Sequence, residues 1–187
     1  MEPKSLDGRD THHKPARSLI VFGYGNPGRQ DDGLGPAAAE EIAALDWPGV
    51  ATQTNYQLNI EDADEAVKHD WVIFIDAADI GPEPYTERIL HPAMETAFTS
   101  HVMGPEVILA ICRDYYGNVP QSVLVAIRGY EFAFEEALSV AAHRNLAQAV
   151  ERIKQLIEVR IGDAPCPPDS RTASGLRDDA WLTTDSR

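Results

Sequence analysis

The apolar positions of the chain fall into short, dense runs separated by amphipathic or polar stretches. Residues 18–22 (SLIVF), 71–75 (WVIFI) and 122–127 (SVLVAI) are runs of aliphatic and aromatic residues, the pattern of strands buried on both faces. Residues 50–56 and 86–90 are more polar and read as edge strands. Helical patterns lie between them: an Ala-rich stretch over 33–45 closed by Trp47-Pro48-Gly49, a short acidic one over 60–68, and one over 102–115. The range 132–159 contains a long amphipathic helix, with Leu138, Ala142, Leu146, Val150, Ile153 and Ile157 near one stripe. Strands alternating with helices predict one α/β domain over 18–160, its sheet covered on both faces. Sites in such folds gather beyond the C-terminal ends of the strands. That directs attention to the residues after 22, to Asp76, and to the loop before 102.

The flanks break this pattern. Residues 1–17 are charged and carry His12 and His13, and 161–187 are rich in Pro, Ser, Asp and Gly with no apolar period. They are expected to be a flexible arm and a flexible acidic tail. There is no bilayer-length apolar run and no signal-peptide core, so a cytoplasmic monomer without a membrane partner is expected. The formal net charge is −14, from 16 Lys and Arg against 30 Asp and Glu, which repels phosphate backbones and argues against a nucleic-acid partner. Cys112 and Cys166 are too few for a disulfide scaffold and form no CxxC pair. Cys112 is expected to be a buried small hydrophobe, and neither thiol has the surroundings of a nucleophile.

The densest chemistry follows the first strand, in GYGNPGRQDDGLGPAAAEE. Gly23, Gly25 and Gly28 form a literal GxGxxG, the mark of a dinucleotide loop. Such a loop sets pyrophosphate at a helix N-terminus, where Asp31 and Asp32 would repel it. Acidic residues before a helix are also good caps, a role this reading gives to Asp31. Asp76 stands at the tip of the most apolar strand, a position placed for function, whereas Asp79 fits a turn-former better. His101 follows Thr99-Ser100 and precedes the 102–115 helix, in which Gly104-Pro105 is compatible with a late first turn. His91 lies before Pro92 in a loop, and His69 and His143 read as surface residues.

The segment GYGNPGR resembles the opening of bacterial peptidyl-tRNA hydrolase. The continuation QDDGLG departs from that family and lacks its base, which leaves an esterase of that kind as a minor alternative. The whole segment resembles more closely the first motif of the hydrogenase maturation proteases: Gly25-Asn26, then Asp31-Asp32-Gly33 and Gly35, then an Ala/Glu-rich helix. Two further motifs of that family follow in order: a strand ending in Asp76-Ala77, and His101 after a Thr/Ser pair. The resemblance spans about residues 18–158. It implies a three-layer α/β/α sandwich of the phosphorylase/hydrolase-like kind, with a five-stranded, mostly parallel sheet and residues 86–90 antiparallel. It implies an endopeptidase that removes the C-terminal extension of a [NiFe]-hydrogenase large-subunit precursor after nickel insertion. By alignment, Asp32, Asp76 and His101 are its metal-binding and catalytic trio. Nickel, recognised in the substrate, is the implied metal, with zinc or cadmium as surrogates. The alternative from another class is a non-catalytic, nickel-dependent binding partner of the same large subunit.

Overall fold

The computed structural model describes residues 18–94 and 103–161. The chain runs β1 (Leu19–Tyr24), a 3-10 turn (Gln30–Gly33), α1 (Leu34–Ala43), β2 (Val50–Asn55), α2 (Glu61–Ala66), β3 (Trp71–Ala78) and β4 (Tyr85–Leu90). It continues through α3 (Pro105–Ile111), a wider helical turn (Cys112–Tyr116), β5 (Gln121–Arg128) and α4 (Val140–Ile161). The described strands form one sheet in the order β2-β1-β3-β5-β4. Its pairs are parallel except β4 against β5. The expected edges, β2 and β4, are the edges, and β4 is the antiparallel strand.

Strand side chains alternate between faces, and this splits the core in two. Leu19, Val21, Ile73, Ile75, Val123, Val125 and Ile127 face α1 and α4. Ile20, Phe22, Val72, Phe74 and Leu124 face α2 and α3. Phe22 and Phe74 stack with ring centroids 5.5 Å apart. Each such fully buried side chain contributes roughly 2–3 kcal/mol through the apolar surface it removes from water. The α4 stripe ends in this core, with Ala142, Leu146, Val150, Ile153 and Ile157 all buried. Cys112 is buried on the other face, its thiol 3.7 Å from the Ala63 carbonyl oxygen. The expected three-layer α/β/α sandwich is the observed architecture. Among the described residues no helix is long and apolar enough to cross a membrane.

Three details differ from the sequence expectation. Within 132–159 the helix begins only at Val140, and residues 129–139 form an irregular segment. Asp31 diverts that segment, because its carboxylate binds backbone N–H groups at Tyr130, Glu131 and Ser139. Strand β3 runs through Asp76 to Ala78, since β5 pairs with it in register as far as Ala78↔Arg128. His69, expected at the surface, keeps only 14% of its side chain exposed beside Glu65. Pro105 occupies the first turn of α3, as its fixed φ favours, so that helix starts late. The flanking segments 1–17 and 162–187, with Cys166, lie outside the described residues.

Candidate active site

The end of β1 and the start of α1 are built around two glycines. Gly25 has φ +136°, and a side chain there would stand 2.0 Å from the Asp32 carbonyl oxygen. Gly35 lets the first turn of α1 press onto the sheet: an added Cβ would lie 2.3 Å from the Tyr24 oxygen and 2.6 Å from the Ile75 oxygen. Only a backbone without Cβ can come this close. The helix start is therefore set directly on the C-terminal parts of β1 and β3, which brings Asp32 within electrostatic reach of Asp76.

Asn26 then closes the loop. Its side-chain oxygen accepts the Gly28 N–H at 2.9 Å, and its carbonyl accepts the Arg29 N–H at 3.0 Å. The Asn26 N–H, thus oriented, donates to Asp32 Oδ2 at 2.9 Å. The backbone donor that a phosphate would need is occupied by a carboxylate, in keeping with the rejection of the dinucleotide reading.

The two neighbouring aspartates have separate fates. Asp31 is completely buried. It accepts the N–H groups of Tyr130 (2.7 Å), Glu131 (3.0 Å) and Ser139 (2.7 Å), and the Ser139 hydroxyl at 2.8 Å. Burial pushes its pKa up, but the donors from Ser139, Tyr130 and Glu131 outweigh that and hold it below the usual carboxylate value. The expected capping role does not hold: α1 has Gly33 at its N-cap and no side-chain cap bond. Asp31 instead pins residues 130–139. Gln30 assists, its side-chain oxygen accepting the Ala133 N–H at 2.9 Å and its own N–H donating to the Glu135 carbonyl.

Asp32 is partly exposed on the other side of the turn, within electrostatic reach of Asp76. Burial raises Asp76 to about pH 6; hydrogen bonds from the Ala77 N–H (2.8 Å) and the Tyr24 hydroxyl act the other way, and the charge of Asp32 adds to the rise. Tyr24 is a residue the sequence reasoning missed. Burial first, then the charge of Asp76 and the hydrogen bond to it, hold its hydroxyl protonated far above the ordinary tyrosine range. The available signal was parity: Tyr24 lies two residues beyond Phe22, and Asp76 two beyond Phe74, so both point to the α2/α3 face.

Asp32 thus stands within electrostatic reach of Asp76. His101 lies outside the described residues, which resume at Met103 just before α3 on the same face of the sheet. Among the described residues no group of three His, Cys, Asp or Glu side chains could hold a metal ion. Asp32 and Asp76 are two carboxylates, a donor chemistry that suits a hard or borderline divalent cation.

No family model matches the chain, and no curated protein matches it in sequence. Solved structures do. The [NiFe] hydrogenase maturation protease HycI from Thermococcus kodakarensis superposes with a TM-score of 0.61 at 20% identity, over 78% of this chain and 95% of that one. The hydrogenase maturating endopeptidase HybD from E. coli gives 0.59 at 19% identity, over 76% of this chain and 93% of that one. A hydrogenase 2 maturation peptidase from a Thaumarchaeota archaeon gives 0.55 at 19% identity, over 75% and 98%. At this level of identity the likeness establishes the fold, which is that of the hydrogenase maturation proteases.

Proposed function

We propose that this chain is an endopeptidase of hydrogenase maturation, removing the C-terminal extension of a [NiFe]-hydrogenase large-subunit precursor once nickel is in place. The observation that carries the reading is the convergence of Asp32 and Asp76 at the ends of β1 and β3, in a chain with the fold of known maturation proteases. The sequence motifs that resemble that family supply the same two residues.

In this reading Asp32 and Asp76 face nickel held by the precursor, and His101 completes the set. The site recognises substrate that carries its metal and leaves the empty precursor alone. A divalent cation held by Asp32 and Asp76 would supply Lewis-acid chemistry to a carbonyl or to water. The chain's own residues do the positioning. Asn26 fixes Asp32 through its N–H, and Ala77 and Tyr24 fix Asp76. Asp31 ties residues 130–139 down on the other side of the turn.

Intact-mass analysis tests this. The protein is mixed with a nickel-loaded large-subunit precursor and, in parallel, with the nickel-free precursor. Loss of a C-terminal peptide from the loaded form alone is the expected result. Complex formation with both masses unchanged would replace the peptidase with a nickel-dependent binding partner.

A further inference from the structure

Beside the two carboxylates stands a group that neither the motif nor the proposed trio includes. Strands β1 and β3 pair in parallel with Gly23 opposite Ile75, so the next residues, Tyr24 and Asp76, lie side by side. Both belong to the face that carries Phe22 and Phe74, and Tyr24 packs against that core. Burial and the adjacent Asp76 carboxylate keep its hydroxyl protonated, a donor beside a carboxylate that accepts the Ala77 N–H at 2.8 Å. The phenol is also within electrostatic reach of Arg88 and Glu106, which form an ion pair at 2.6 Å. Arg88 is on β4 and Glu106 in the first turn of α3.

A short carboxylate next to another of like charge turns away from it unless something holds it. Tyr24 is a neutral donor: it holds the carboxylate without cancelling the negative charge a cation needs. We infer that Tyr24 is a positioning residue, whose hydroxyl orients the Asp76 carboxylate so that it meets a divalent cation together with Asp32. The inference rests on the metal-recognising reading of the site. Hydrogen-bond partners behind a metal ligand typically change metal affinity 10–100-fold when removed.

The test uses the full chain with Co²⁺ as the probe, its binding followed by visible absorption. Wild type, Tyr24→Phe and Asp76→Asn are compared, with the melting temperature of each recorded. Tyr24→Phe keeps the ring in the core and removes only the donor. It is expected to weaken Co²⁺ binding about tenfold or more while the melting temperature stays within a few degrees. A purely structural role would do the reverse, lowering the melting temperature and leaving the affinity of folded molecules unchanged. Wild-type affinity in Tyr24→Phe overturns the inference. So does a wild type that binds no Co²⁺, or whose binding Asp76→Asn leaves intact. Precursor cleavage, read separately by mass, decides the peptidase reading. Cleavage by wild type with unchanged Co²⁺ binding in Tyr24→Phe sinks the inference alone. A tenfold affinity loss without any cleavage by wild type sinks the peptidase alone.

Discussion

Asp31 and Asp32 are consecutive residues of one 3-10 turn, yet they belong to different parts of the molecule. Successive residues of such a turn point about 120° apart, so one side chain looks toward residues 130–139 and the other toward the strand ends. Asp31 is fully buried with four donors on its two oxygens, whereas Asp32 is partly exposed, takes the Asn26 N–H and faces a second carboxylate. A buried carboxylate saturated with donors is a structural tie, because its charge is already balanced where it sits. One held in place but incompletely satisfied, next to a like charge, is available to a cation. Asp62 repeats the first pattern: it is buried, and accepts from Gln53 (3.0 Å), Asn55 (2.9 Å) and the Asn59 N–H (2.7 Å). Asp76 belongs to the second.

The comparison can be broken by exchanging the consequences of substitution. Asp32→Asn and Asp76→Asn should each reduce precursor processing about 100-fold or more, with little change in melting temperature. Quantified cleavage and a thermal melt check this, and unimpaired cleavage by both variants would end the functional half of the contrast. Asp31→Ala should act on stability instead, by about 3 kcal/mol, because three backbone N–H groups and the Ser139 hydroxyl lose their shared acceptor. Urea unfolding measures it. An Asp31 variant that is stable but inactive would place that residue with Asp32. Gly35→Ala should cost about 2 kcal/mol, since its Cβ meets two carbonyl oxygens at 2.3 and 2.6 Å and forces α1 off the strand ends. Processing should fall with it, because Asp32 rides on that contact. The smallest effect is expected from Asn26→Ala, about 1 kcal/mol, from the lost acceptor for the Gly28 N–H. Its cleavage rate is the sharper readout, since the loop orients the donor to Asp32.

Much of the fold was legible because local pattern and tertiary environment agree. The runs at 18–22, 71–75 and 122–127 are apolar on both faces, and they became the three inner strands β1, β3 and β5. The polar runs became the edges, where one side needs no partner. The helix expected within 132–159 was placed too broadly, since Phe132, Phe134 and Leu138 continue an apolar composition without continuing a helix. Phe134 is 86% exposed, and Arg29 stacks over its ring at 5.4 Å. Composition alone carries no trace of that, because the hydrogen bonds that divert the segment come from residues about 100 positions earlier.

For the site, local sequence pattern settled which groups are present and near which strand ends: Gly25, Asn26, Asp31, Asp32 and Gly35 after β1, and Asp76 in the C-terminal part of β3. Glycines mark close backbone approach, and an acid ending an apolar strand is costly without a purpose, so both signals are local. The family resemblance already favoured Asp32 over Asp31 for the site; what only the tertiary structure decided is that Asp31 is buried and tied to residues 130–139 instead of capping α1. That outcome depends on what stands opposite each side chain, namely residues 130–139 on one side and Tyr24 with Asp76 on the other. Tyr24 itself was hidden for the same reason. A tyrosine at a strand end is ordinary until the parallel register sets its hydroxyl beside a carboxylate on the neighbouring strand.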